Sequence, residues 1–161
     1  MTRQNVIWFG RYEGWLRFIA RGLRSGDKDC VQKAATMFDM MLPDRCVVVP
    51  MPSHTGRATN MLMVVRALAA MKKRCGRGYL DILECDPHMS SYAQKEMGIH
   101  PGPVEMRVRN AEVPYVRQVV KGEHGQVFVL DNVVVTGATA SGALKALPNS
   151  IVCTLAMSSW R

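Results

Sequence analysis

Two short stretches of this chain carry the residue types that handle anions and hydroxyls. The first is VLDNVVVTGATA, residues 129 to 140. It offers a carboxylate at Asp131, a carboxamide at Asn132, then Thr136, Gly137, Ala138, Thr139 and Ala140. A glycine lets backbone turn tightly or approach a ligand, and hydroxyls beside a helix start leave amides pointing outward. That chemistry suits a phosphate. The second is PMPSHTGR, residues 50 to 57, with Ser53, His54, Thr55, Gly56 and Arg57. Hydroxyls, an imidazole and a guanidinium in one loop suit a second anion. Each stretch alone also fits an ordinary turn: Asp131 as a turn former, Thr139 as a helix cap, His54 as a solvated loop residue, Arg57 as the first exposed residue of a helix.

The elements around them give the two loops more weight. Val127 to Leu130 reads as a buried strand, being short, apolar and β-branched, and the pattern stops it at Asp131-Asn132. Thr139 then caps a helix over roughly 140 to 147. CVVVP, 46 to 50, is a second buried strand, and residues 58 to 74 read as a helix with Met61, Val64, Val65, Leu68 and Met71 on one side. Its basic, glycine-punctuated end KKRCGRG fits a helix C-terminus. Residues 12 to 24 predict an earlier helix whose apolar stripe is Trp15, Phe18, Ile19 and Leu23, with Arg17, Arg21 and Arg24 opposite. SGD at 25 to 27 ends it and caps a second helix that runs to about Met41, where Pro43 stops it. YLDILEC, 79 to 85, reads as one strand. Residues 86 to 113 hold Pro87, Gly98, Pro101, Gly102 and Pro103 and form a long excursion, the length at which a loop is usually functional or mobile. PYVRQVV, QVFVLDNVV, a short helix and SIVCTLAMS complete a strand-helix alternation. The expectation is a single α/β domain over 1 to 161 with a largely parallel sheet, which puts both loops at carboxyl ends of strands, where such sheets bind ligands.

Composition narrows the partners. The 161 residues are 48% hydrophobic, with 21 Lys+Arg against 13 Asp+Glu, a formal charge of +8. A phosphorylated metabolite, nucleic acid or an anionic surface would each match that charge. No apolar run reaches the ~20 residues of a membrane-spanning helix, and MTRQNVIWFGRYEG lacks a signal-peptide layout, so a cytoplasmic protein with no membrane partner is expected. Five scattered cysteines without a CxxC pair read as reduced thiols. No helix-turn-helix, zinc-finger or RNA-binding signature accompanies the basic charge, so nucleic acid is compatible but not indicated by motif.

With both loops placed, the chain resembles the type I phosphoribosyltransferases, whose signature is a strand ending in two acids, a few apolar residues, then Thr-Gly-x-Thr opening a helix. VLDNVVVTGAT matches at Asp131, Thr136, Gly137 and Thr139. Within that family it is most similar to the ComF-like, competence-associated members, through YEGWLRFIARGLRSGD, VVVPMPSHTGR and an R-x-x-N element at Arg107 and Asn110. Those members often carry an N-terminal four-cysteine zinc module, which the 161 residues do not show. The resemblance implies a phosphoribosyl diphosphate site and a small hood. Thr136, Gly137, Ala138, Thr139 and Ala140 would hold the 5-phosphate. Asp131 and Asn132 would meet the ribose hydroxyls, with Asp131 helping to place Mg²⁺. Ser53, His54, Thr55, Gly56 and Arg57 would cover the diphosphate, Arg57 carrying the charge. Residues 86 to 110 would close over the reacting centre. A homodimer is implied by the resemblance alone, and the acceptor is not named by it. Asn132 replaces the second acid, and Val135 stands where 6-oxopurine enzymes of the family carry a proton-handling Asp. A valine does no acid-base work. The expected function is transfer of phosphoribose to a nitrogenous acceptor. The alternative is a module that binds or senses phosphoribosyl diphosphate without transferring it, linked to DNA uptake or processing.

Overall fold

The computed structural model describes residues 5 to 71, 76 to 100 and 102 to 158. Its centre is a five-stranded sheet in the order β1-β7-β6-β2-β3 with every neighbouring pair parallel. The strands are β1 (Val6–Arg11), β2 (Cys46–Pro50), β3 (Arg77–Tyr79), β6 (Val127–Val134) and β7 (Ser150–Met157). Alternation along each strand divides the side chains between two cores. Cys46 and Val48 of β2, Phe128 and Leu130 of β6, and Cys153 and Leu155 of β7 face α1 (Gly14–Ser25), α2 (Lys28–Met41) and α3 (Asn60–Ala70). Val47, Val49, Val127, Val129 and Val152 face α5 (Pro114–Val120) and α6 (Ala138–Ala146), through Val116, Val119, Ala140, Ala143 and Leu147. Each fully buried aliphatic side chain contributes about 1.5 to 3 kcal/mol, so covering both faces is what holds the layers together.

The junction of α1 and α2 follows the expected chemistry. Gly26 adopts φ 71°, the left-handed conformation that ends a helix, and Asp27 starts the next by accepting from the Cys30 amide at 2.9 Å. That bond to the ionised carboxylate holds Asp27 below its ordinary pKa.

Several boundaries differ from the sequence reading. β6 does not stop at Asp131-Asn132 but continues to Val134, because β7 runs alongside it to Met157 and pairs with Asp131, Val133 and Val134. YLDILEC is not one strand. Leu80 N–H makes the last bond to β2, at Val48 O, and the chain then leaves the sheet to form β4 (Leu83–Cys85), paired antiparallel with β5 (Met106–Val108). The first strand, β1, had no clear sequence signal; Trp8 and Phe9 break its apolar-polar alternation. In α1 the buried residues are Leu16, Ile19, Ala20 and Leu23, while Trp15 and Phe18 face outward, contrary to the expected stripe. α3 covers residues 60 to 70, and the basic 72 to 75 segment expected to end it lies outside the described residues. PYVRQVV is helical, with Pro114 at its first position. Four cysteines, Cys30, Cys46, Cys85 and Cys153, are free and buried; Cys75 lies outside the described residues. Among the described residues no helix is long and apolar enough to cross a membrane.

Residues 83 to 100 and 102 to 108 form a small second layer over one end of the sheet. It comprises β4, β5 and the short helix α4 (Ser91–Glu96), which Ser90 caps by accepting from Ala93 N–H. α4 buries no side chain. The layer is fastened to both candidate loops: Cys85 N–H donates to Gly56 O at 3.0 Å, His88 N–H to His54 O at 2.9 Å, and Val104 N–H to Ala138 O at 3.3 Å.

Candidate functional site

Sheet topology creates the site. β2 connects rightward to β3 through α3 on one face, while β6, its neighbour, connects the other way to β7 through α6 on the opposite face. Two adjacent strands whose connections diverge leave a crevice beyond their carboxyl ends. The loops 51 to 59 and 135 to 137 border that crevice, which is a cleft of about 420 Å³. Ser53, His54 and Thr55 of the first loop line it, as do Asp131, Asn132, Thr136, Gly137, Thr139 and Ala140 of the second. The two stretches singled out in the sequence therefore share one cavity.

At the α6 end, Gly137 with φ 81° is the residue before the helix, not Thr139, which sits within the first turn. A left-handed turn at that point is what a glycine permits. Thr136 Oγ1 accepts from Ala138 N–H at 3.1 Å and fixes the turn. Ser141 N–H then bonds Gly137 O at 2.8 Å, closing the first helical turn. Among the described residues the amides of Thr139 and Ala140 have no acceptor, so they and the helix dipole face the cleft ready for an anion.

The floor of the cleft is Asp131-Asn132. Burial pushes the Asp131 carboxyl up to about 6, opposed only by the bond it accepts from Asn132 N–H at 2.7 Å. Asn132 Nδ2 donates to Ala20 O of α1 at 2.9 Å, and its Oδ1 is buried without a partner. The carboxamide thus ties the end of β6 to α1, a role that a spacing argument could not reveal across 112 residues of chain. It also explains the absence of a second acid: a carboxylate here would set an acceptor against a carbonyl.

The 53 to 57 loop is knit by its own groups. Ser53 N–H and Oγ both reach Arg57 O, Gly56 N–H donates to Ser53 O, and Thr55 N–H donates to Ser53 Oγ. Gly56, at φ 106°, packs so closely that a Cβ would lie 2.6 Å from Cys85 O. Arg57 and Gly56 do not line the cleft. The Arg57 guanidinium, 58% exposed, pairs instead with Glu84 at 3.1 Å, and Glu84 also holds Arg107 at 2.9 Å. Arg107, drawn from the R-x-x-N element, further bonds Asp86 at 3.0 Å, and Asn110 takes φ 56° in the turn after β5.

The sequence reading assigned no site role to several cleft residues, Arg24 and His88 among them. Arg24, at the end of α1, lines the cleft and stacks over Tyr92 of α4 with 5.8 Å to the ring centre. His88 also lines it, its Nδ1 3.0 Å from Asp86 O. A carbonyl partner makes Nδ1 the protonated nitrogen. Arg24 was signalled only as part of a solvated arginine face, and His88 carried no spacing signal. Val135 borders the cleft too and brings no titratable group.

Among the described residues no three His, Cys, Asp or Glu side chains come together as a metal site. No family model matches this sequence, and no curated protein matches it.

Proposed function

We propose that this chain is a type I phosphoribosyltransferase of the ComF-like kind, using phosphoribosyl diphosphate with Mg²⁺ and transferring phosphoribose to a nitrogenous acceptor. The observation that supports it best is the convergence of the Thr136-Gly137-Ala138-Thr139 helix start, the Asp131 carboxyl and the 53 to 55 loop on one cleft at the switch point of the sheet.

In this reading the 5-phosphate accepts from the Thr139 and Ala140 amides and the Thr139 hydroxyl, while Thr136 holds the turn. Asp131 accepts from the ribose hydroxyls. One protein carboxylate suffices for a magnesium ion that arrives on the diphosphate with its waters, so the residues present fit that mode of binding. The ion would neutralise charge on the leaving diphosphate. The bond between the ribose anomeric carbon and the diphosphate oxygen breaks, and its electron pair leaves with the diphosphate. The acceptor nitrogen forms the new bond to that carbon, and its proton passes to the departing diphosphate. Arg24 already faces the cleft. Arg57 reaches the diphosphate by leaving Glu84, and a pair whose cation is more than half exposed is worth only about 0 to 1 kcal/mol. Glu84 keeps Arg107 when Arg57 departs, so no carboxylate is stranded.

A module that binds phosphoribosyl diphosphate without transferring it is the second reading, favoured by the engagement of Arg57 outside the cleft. Incubating the protein with phosphoribosyl diphosphate, Mg²⁺ and a panel of purine, pyrimidine and pyridine bases, and assaying released diphosphate, separates them. Base-dependent release supports the transferase. Saturable binding without release supports the module, and neither result leaves both readings without support.

A further inference from the structure

We infer that Glu84 is a positioning residue for Arg57: it holds that guanidinium off the cleft at rest and exchanges it for Arg109 when a diphosphate arrives. That role rests on the diphosphate reading above and lies outside the cavity, since neither Glu84 nor Arg109 lines it. Glu84 Oε2 is 3.1 Å from Arg57 Nε and 3.9 Å from Arg109 Nε. The first is a close ion pair, and the second is too long for a hydrogen bond. Arg109 Nε is buried and, among the described residues, has no hydrogen-bond partner. A buried guanidinium N–H without an acceptor is costly, so two arginines compete for one carboxylate oxygen. In the ligand-free protein the loop arginine holds it.

The surrounding groups make the exchange a movement of side chains and nothing larger. Glu84 does not follow Arg57, because its Oε1 is held by Arg107 Nε at 2.9 Å, and the two residues face each other across β4 and β5. The Arg57 backbone is equally fixed. Its carbonyl accepts from the Ser53 amide and hydroxyl, and Gly56 lies flush against the Cys85 carbonyl. What can turn is the exposed Arg57 side chain, on a loop whose Ser53, His54 and Thr55 already line the cleft. Arg109 stays in place, since the Asp81 carbonyl and carboxylate both hold its Nη2. Once Arg57 turns to a diphosphate, a shift of about 1 Å brings Glu84 Oε2 within hydrogen-bond distance of Arg109 Nε. The unpartnered donor gains its acceptor as the loop arginine leaves. Removing the Glu84 charge releases Arg57 before any ligand arrives, so it should tighten diphosphate binding.

The test is calorimetric titration of phosphoribosyl diphosphate with Mg²⁺ into wild type, Glu84→Gln, Arg57→Ala and the double variant, with far-UV circular dichroism as the folding control. Glu84→Gln is expected to tighten binding about two- to fivefold, the range that release of a pair with one exposed partner allows. In the Arg57→Ala background the same substitution is expected to change nothing, because the guanidinium it would release is gone. Where Glu84→Gln does not fold, Glu84→Asp, whose carboxylate draws back from Arg57, replaces it with the same expectation. Nitrogen-15 spectra add a readout that a merely structural Glu84 would not move. The Arg109 Nε–H signal, assigned by its loss in Arg109→Lys, should shift when the ligand binds wild type. Binding that Glu84→Gln leaves unchanged or weakens overturns the proposal alone. So does tightening that persists in the Arg57→Ala background, and so does an Arg109 signal indifferent to ligand. If neither wild type nor Glu84→Gln binds phosphoribosyl diphosphate, the diphosphate reading fails and the proposal fails with it.

Discussion

Asn132 Nδ2 donates to the carbonyl of Ala20 at 2.9 Å, joining the end of β6 to the middle of α1 just beneath the cleft. The residue that looks like a weakened second acid is a structural tie whose chemistry requires a donor. Asn132→Asp is therefore expected to destabilise the fold by about 1 to 3 kcal/mol, the cost of a buried group left facing another acceptor. Denaturant unfolding at neutral pH checks it. Unchanged stability would show that the tie is not formed in solution.

Asp131 carries a pH prediction. Burial raises its folded pKa from 3.8 to about 6, so the folded protein holds this proton more tightly than the unfolded chain. The associated stability is fully present below the ordinary carboxylate range and is lost as pH rises through about 6. Thermal unfolding of the ligand-free protein should show that decline, and Asp131→Asn should remove it. If Mg²⁺ and phosphoribosyl diphosphate require the ionised carboxylate, their binding releases a proton near pH 6, which calorimetry in buffers of different ionisation enthalpy detects.

Arg57→Ala should leave stability within about 1 kcal/mol of wild type, because the Arg57 side of the pair is 58% exposed and Glu84 keeps its bond to Arg107. The same change should weaken phosphoribosyl diphosphate binding by about 1.5 to 3 kcal/mol and ribose 5-phosphate binding little, since only the former has a diphosphate. Equal losses for both ligands would place Arg57 away from the diphosphate.

Gly142 lies in α6, where glycine-to-alanine usually gains about 0.5 to 1 kcal/mol. Here a Cβ would collide with the Val104 carbonyl, where the 102 to 108 segment crosses the helix. Gly142→Ala is therefore expected to lower the melting temperature and to loosen the layer that covers the cleft. Limited proteolysis within residues 86 to 104 gives the second readout.

The sequence made the sheet and both loops legible because each depends on local patterning: CVVVP and VFVL are short β-branched runs, and Thr136-Gly137 demands a turn. β1 was not legible, since an edge strand with Trp8 and Phe9 half exposed lacks the alternation that marks a strand. Nor was the end of β6, where pairing with β7 carries the strand through Asp131-Asn132. YLDILEC looked continuous because its break depends on β5, more than twenty residues later. Arg24 and Asn132 acquire their positions only through the packing of α1 beside β6, a tertiary contact with no local signal.

The most direct test of the proposed site is calorimetric titration of phosphoribosyl diphosphate into the protein with and without Mg²⁺, repeated with Thr139→Val and Asp131→Asn. The account predicts saturable, 1:1 binding that Mg²⁺ strengthens. Thr139→Val should weaken phosphoribosyl diphosphate and ribose 5-phosphate alike, and Asp131→Asn should lose most of the magnesium dependence. Absence of binding, or binding indifferent to both substitutions, would contradict it.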